Sequence, residues 1–312
     1  MLLVFLNTIL LAAGFVLLVK GADFFVDGTS SIAKKFGIPE LIIGLTIVAM
    51  GTSAPEAAVS ITGALSGSAE ISVGNVVGSN IMNILVILGL ASAIVPIAVE
   101  RSTIRYEIPF MIAISVLFFL LGIDGNIGRI DGMVLWFAFI LYFVYLFYMS
   151  KVQKDSEDED IPDYPLWKAS VFTALGLLFI ICGSNFAIQG ASELARYFGL
   201  SERLIGLTIV ALGTSLPEMF TSVTAARRGN ADIAIGNIVG SNIFNILFVL
   251  GTSALIIPVP FAAAFRVDAV IAILAAVLLW LLSVRYKNIG RIGGIIMLVG
   301  YVGYFVYLLI VR

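Results

Sequence analysis

Apolar residues run through this chain in long unbroken stretches, separated by short polar breaks. They do not alternate with polar positions, and each stretch reaches the ~20 residues that a helix needs to cross the hydrocarbon of a bilayer. The pattern predicts ten helices, near 2–22, 39–63, 71–96, 106–123, 130–150, 166–185, 201–226, 232–258, 266–285 and 291–311. One stretch is clearly polar, KVQKDSEDEDIPDYP at 151–165. It divides the chain into a five-helix unit at 1–150 and another at 166–312. The expected fold is an all-α polytopic membrane protein.

The two units are copies. Residues 44–56 read GLTIVAMGTSAPE and residues 206–218 read GLTIVALGTSLPE, identical at eleven of thirteen positions. The same offset of 162 relates GNVVGSNIMNIL at 74–85 to GNIVGSNIFNIL at 236–247. It also relates Gly21 and Gly28 to Gly183 and Gly190, and Ile127–Ile130 to Ile289–Ile292. Each half is therefore one structural unit. Five is odd, so the second copy enters the membrane from the opposite side, and the repeats are inverted.

Cationic residues orient the whole. With ten helices, thirteen Lys and Arg fall at one end, including Lys34, Lys35, Lys151, Arg227, Arg228 and Lys287. Five fall at the other: Arg129, Arg196, Arg203, Arg266 and Arg312. The richer end is expected to be cytoplasmic. Both termini then face outward, and the acidic linker lies inside, in a cytoplasmic (inner or plasma) membrane. Leu2 to Val19 has no basic residues ahead of it, and its counterpart near 166–181 is internal. The segment therefore reads as a first transmembrane helix, not a signal peptide.

Composition narrows the chemistry. The chain has 312 residues, 60% hydrophobic and 12% charged, about half the charge of a soluble domain. A net charge of −2 gives no footing for nucleic acid. Histidine is absent and Cys182 stands alone, which removes thiolate clusters and the commonest proton shuttle.

Glu56 and Glu218 lie inside apolar stretches, where a lone carboxylate is costly. Pro55 and Pro217 precede them, and Gly51 and Gly213 loosen the same turns. The phrase is expected to unwind a helix in mid-membrane and to free carbonyl groups at Ala49, Ala211 and the residues after them. Thr52, Ser53, Thr214 and Ser215 add hydroxyls. In the second phrase, Asn75, Ser79 and Asn83 form one stripe at i, i+4 and i+8, as do Asn237, Ser241 and Asn245. The set offers oxygen ligands only, which suits hard cations such as calcium and sodium. The acidic run at 155–160 lacks the glycine and spacing of a calcium loop and reads as a solvated linker. Asp23 and Asp27 are expected at a helix end.

At the paired GTS-x-PE and GN-x-VGSN phrases, the chain resembles the sodium/calcium exchanger family of the calcium/cation antiporter superfamily. The resemblance covers both halves. It implies ten helices in two inverted repeats, exchange of Ca2+ for Na+ by alternating access, and no cofactor and no obligate protein partner. It implies Glu56 and Glu218 as the principal calcium ligands. Thr52, Ser53, Thr214, Ser215, Ser79 and Ser241 would line sodium sites with the carbonyls of Ala49 and Ala211. Asn83 and Asn245 would complete the cluster, and helices one and six would move. Some members, including potassium-dependent relatives, carry Asp at the position of Asn245, so the Asn here weakens the case for potassium dependence. The alternatives are a calcium/proton antiporter, with the glutamates as proton carriers, and a calcium channel. Two glutamates make no ring of four, which disfavours the channel. With no nucleophile–base pair, an enzyme is not expected.

Overall fold

The computed structural model describes residues 2–152, 162–200 and 211–311. Among these, helices follow in the order α1 (Leu2–Phe36), α2 (Glu40–Thr52), α3 (Ala54–Leu65), α4 (Glu70–Ile94), α5 (Thr103–Leu121) and α6 (Arg129–Val152). The second half holds α7 (Leu166–Tyr197), α8 (Ala211–Thr214), α9 (Leu216–Arg227), α10 (Ala231–Ile256), α11 (Ala263–Tyr286) and α12 (Arg291–Val311). Eight of them are long and apolar enough to cross a membrane, and α2 with α3, bent by 50°, makes a ninth. The helix expected near 201–226 begins outside the described residues. Its described part, α8 and α9, repeats the junction of α2 and α3.

Two helices run further than their apolar stretches suggest. α1 continues to Phe36 and α7 to Tyr197, where 22 and 185 were expected. Nothing between residues 22 and 36 breaks a helix; the stop is Gly37, whose φ of +60° suits glycine. At 35 residues, α1 is about 50 Å long and overreaches the hydrocarbon. Asp23 and Asp27 therefore lie within the helix, not at its end. Asp27 pairs with Arg228, and Asp23 does so at 2.7 Å.

The inversion is visible at the rims. Strand β1 (Ile97–Ala98) pairs with β4 (Asn288–Ile289), and β2 (Asn126–Ile127) pairs with β3 (Val259–Pro260), both antiparallel. The offset of 162 carries β1 onto β3 and β2 onto β4, so it exchanges the two ladders. The 19-residue α5 separates β1 from β2 along the chain. Each strand of one half thus meets a strand of the other, and equivalent strands lie at opposite ends of the bundle.

Burial separates the layers. The apolar window of α10 is 94% buried and that of α4 is 72%, whereas α1 and α12 reach only 17%. The outer helices turn large apolar side chains outward, among them Ile130, Ile292 and Val299. That surface is the lipid-facing one. α1 and α7 pack on each other through glycines spaced seven apart: Gly14, Gly21 and Gly28 on one, Gly176, Gly183 and Gly190 on the other. A Cβ on Gly176 would stand 2.4 Å from the backbone nitrogen of Phe25, so the seam admits no side chain.

The C-terminal end of the linker is tied down. Asp163 pairs with Lys35 at 2.6 Å, and Ser31 Oγ accepts the Tyr164 N–H at 2.9 Å. The hydrogen bond and charge of Lys35 hold the Asp163 carboxyl below its ordinary value. The acidic residues 155–160 lie outside the described residues.

Candidate ion-binding site

The repeated phrase makes a break and uses it. α2 passes through a π-helical turn at Gly44–Val48, resumes, and ends at Thr52. Ser53 leaves the helix at φ −82°, ψ 8°, and α3 starts at Ala54 with Pro55 in its first turn, where a missing N–H costs nothing. Glu56 sits in that same first turn, at the positive end of the helix dipole. Ser215, Pro217 and Glu218 repeat the arrangement at the start of α9. The chain is bent and re-initiated at this point, not unwound. Correspondingly, the Ala49 carbonyl is not left free: it accepts the Ser53 N–H at 3.0 Å. A proline strips the donor from the carbonyl four residues back, which is Gly51 or Gly213. Gly213 O accepts Ser184 Oγ from α7 at 2.7 Å instead.

The two breaks meet. Ser53 Oγ donates to Glu218 Oε1 at 2.8 Å, and Ser215 Oγ donates to Glu56 Oε1 at 3.4 Å. Each glutamate, 1% exposed, is thus held by a hydroxyl from the other repeat. The second oxygen of each, Oε2, is buried without a hydrogen-bond partner.

The asparagines divide into two kinds. Asn75 Nδ2 donates to Glu56 O at 3.0 Å and to Ser60 Oγ at 2.9 Å. Asn237 Nδ2 makes the equivalent bonds to Glu218 O and Ser222 Oγ. These two tie α4 to α3 and α10 to α9. Asn237 Oδ1 also accepts Thr52 Oγ1 at 3.0 Å. Asn83 and Asn245 behave differently: their amides donate across the molecule to Asn242 Oδ1 and Asn80 Oδ1, both at 3.1 Å. Their own Oδ1 atoms are buried and unpartnered. Each opens a π-helical turn, Asn83–Leu88 or Asn245–Leu250, a local widening that recurs at functional sites.

Among the remaining expected residues, Ser241 Oγ faces Ala49 O at 3.4 Å, and Thr214 and Ser79 are buried. Ala211 opens α8. Sequence reasoning passed over Asn80 and Asn242, which cross-brace the site: Asn80 Nδ2 donates to Asn242 O at 3.1 Å, and Asn242 Nδ2 to Asn80 O at 3.3 Å. Their signal was present, since both repeats carry N-x-x-N at 80–83 and 242–245. It also passed over Thr221, whose Oγ1 is buried and unpartnered one turn beyond Glu218.

Four buried oxygens in symmetric pairs, two from carboxylates and two from amides, have no hydrogen-bond partner among the described residues. Each buried unsatisfied group costs about 1–3 kcal/mol. A bound hard cation would recover that cost. Among the described residues no group of three or more His, Cys, Asp or Glu could hold a metal, and the centre offers two carboxylates with neutral oxygens.

Residues 6–149 and 168–310 each match the sodium/calcium exchanger protein family. The sodium/calcium exchanger MaX1 of Methanosarcina acetivorans is 32% identical, with 97% of this chain and 98% of that protein covered. The inner membrane protein YrbG of Escherichia coli K12 is 37% identical, with 95% of each covered. Among solved structures, the sodium-calcium exchanger NCX_Mj soaked with 10 mM Na+ and zero Ca2+ superposes with a TM-score of 0.86 at 33% identity. That match covers 99% of this chain and all of the other. The duplicated, inverted helical bundle is that of a multi-pass membrane cation antiporter. The chain belongs to the sodium/calcium exchanger family.

Proposed function

We propose that this protein exchanges Ca2+ for Na+ across the cytoplasmic membrane, one cargo displacing the other from the centre of the bundle. The observation that carries the reading is the symmetric set of unpartnered oxygens: Oε2 of Glu56 and Glu218, Oδ1 of Asn83 and Asn245. Two carboxylates balance one divalent ion. The flanking hydroxyls of Thr52, Ser53, Thr214, Ser215, Ser79 and Ser241, with the carbonyls of Ala49 and Ala211, complete shells for smaller charges. Two ionised glutamates cannot stay empty in an apolar interior, so release of one cargo requires capture of the other. That requirement is the physical basis of coupling.

Alternating access follows from the inversion, since a site on the pseudo-two-fold axis is equivalent from either face. The mobile group in this reading is the pair α1 and α7, which touch each other along a side-chain-free glycine seam. The cation-rich end faces the cytoplasm with the linker 151–165. Both termini face outward. The relative YrbG is an inner membrane protein, in keeping with this placement. Residues 1–150 and 166–312 are the two repeats.

The test is uptake of radioactive calcium into sealed liposomes loaded with sodium at equal pH on both sides. Uptake that needs the outward sodium gradient, and is absent with potassium or choline, is the expected result. Uptake driven only by a pH difference would replace sodium with protons as the counter-ion. Uptake without any counter-gradient would make the protein a channel.

A further inference from the structure

Several hydroxyls buried in this bundle return their proton to the helix that carries them. Thr29, Ser92, Ser115, Ser253 and Ser283 each donate to the carbonyl four residues back, at 2.7–2.9 Å. Thr221 of α9 does not. It is fully buried, and the carbonyl of Pro217 lies one turn back in the same helix, yet its Oγ1 has no hydrogen-bond partner. Thr103 and Ser192 are also unpartnered, but they stand on α5 and α7, outside the helices that carry the repeated phrases.

Thr221 stands three residues after Glu218. Residues at that spacing are neighbours on a helix, with Cβ atoms about 5–6 Å apart. Glu218 Oε1 takes the Ser53 hydroxyl, and its Oε2 is buried without a partner. α9 also packs on the π-helical turn that Asn83 opens, and Asn83 Oδ1 is unpartnered too. A carboxylate, a hydroxyl and an amide oxygen thus lack partners on this side of the site. The first repeat supplies only two of the three. α3 packs on the π-helical turn that Asn245 opens, and Glu56 Oε2 and Asn245 Oδ1 are unpartnered there. The offset of 162 places Val59 at the position of Thr221, and valine has no side-chain oxygen. The likeness of the repeats ends one turn beyond the glutamates.

We propose that Thr221 completes a sodium subsite in the second repeat, in which Glu218 Oε2, Thr221 Oγ1 and Asn83 Oδ1 hold one Na+. The proposal rests on the exchanger reading above. One carboxylate with two neutral oxygens balances a single positive charge. Calcium takes about six to eight oxygens and a second negative charge, so it draws on both glutamates and on the ligands that the repeats share. Thr221 is then a ligand for sodium and a bystander for calcium. It sets how readily one cargo displaces the other, and Val59 gives the first repeat no such device.

The test is displacement of bound radioactive calcium from the purified protein by sodium, at constant pH and ionic strength. Thr221→Val keeps the shape of the side chain and removes its oxygen. It should raise the sodium concentration at half displacement about three- to tenfold, while calcium affinity without sodium stays within about twofold. Thr221→Ser keeps the hydroxyl and should restore most of the loss. The thermal midpoint of the ion-free Thr221→Val protein should not fall, because the hydroxyl has no partner to lose. An unchanged half-displacement concentration overturns the proposal. So does a parallel loss of calcium affinity or a lower ion-free midpoint, either of which marks a structural role. Sodium that fails to displace calcium from the wild-type protein overturns the exchanger reading and the subsite together. Wild-type displacement that Thr221→Val leaves unaltered overturns the subsite alone.

Discussion

The two halves of this molecule agree at the centre and diverge away from it. Ser53 to Glu218 has its mate in Ser215 to Glu56, and Asn83 to Asn242 has its mate in Asn245 to Asn80. Away from the axis the symmetry fails. Asp23, Asp27 and Arg228 form an ionic cluster at one end, and their mates are Asn185, Gln189 and Ser66, which carry no charge. Asp268 is matched by Tyr106. In the proposed exchange, a site read from both faces has to look the same from both.

The sharpest way to break the comparison is to remove one central carboxylate at a time. Glu56→Gln and Glu218→Gln each keep the shape and remove half the charge. Each should lower sodium-driven calcium uptake more than about 100-fold while the protein still inserts. Unequal effects, with one variant near wild-type rate, would show that the two-fold likeness of the geometry is not a likeness of function.

One layer out, Asn80→Ala and Asn242→Ala test whether the cross-brace matters as much as the ligands it aims. Each releases the amide of a site asparagine, so that Oδ1 is no longer held toward the centre. Loss of about 10- to 100-fold in calcium affinity is expected, equal for the two variants. Isothermal titration with calcium, or displacement of bound radioactive calcium, measures it.

Those braces mark where sequence reading stopped. Glu56 and Glu218 were legible because a carboxylate inside an apolar stretch has no inexpensive explanation, and the repetition of its phrase removed coincidence. The inversion was legible from the odd helix number alone. Asn80 and Asn242 stood in the same phrases but off the stripe of Asn75, Ser79 and Asn83 and its repeat, and their value lies in partners 162 residues away. Asn75 and Ser79 read as one stripe, yet the stripe divides: Asn75 ties two helices together and Ser79 borders a cavity. Spacing fixes which side chains share a face but not what that face meets. Helix ends were misjudged for a related reason. Asp23 and Asp27 read as a polar terminus, whereas the helix runs through them to Phe36 and both pair with Arg228.

The glycine seam offers a test of intermediate size. Gly176→Val puts two methyl groups against the backbone of Phe25, where even a Cβ is too close. Overpacking of this kind costs about 1–3 kcal/mol. The thermal midpoint of the purified protein should fall, and Gly14→Val, the repeat mate, should lower it by a similar amount. Gly303→Val on α12, where a Cβ would meet nothing within 4 Å, should leave it unchanged.

The smallest expected effect is also the one that separates the two ends most cleanly. Arg228 closes the end of α9 and pairs with Asp23 and Asp27 on α1, and Asn230 beside it donates to Ser30 Oγ at 2.7 Å and to Glu40 Oε1 at 2.9 Å. If α1 moves with α7 during transport, these bonds hold one end of α1 against the site helices in the conformation seen here. The Arg228 side chain is 34% exposed, so water screens its ion pairs, and they are worth about 1 kcal/mol or less. Arg228→Gln should therefore shift the balance between the two access states by up to about fivefold and leave the intrinsic ion affinities alone. Labelling of single cysteines placed on either side of the site, in a Cys182→Ala background, reads that balance directly. Labelling should rise at the Arg228 end and fall at the β2/β3 end. No change would make the cluster a static brace, and an equal rise at both ends would mean that the bundle had loosened as a whole.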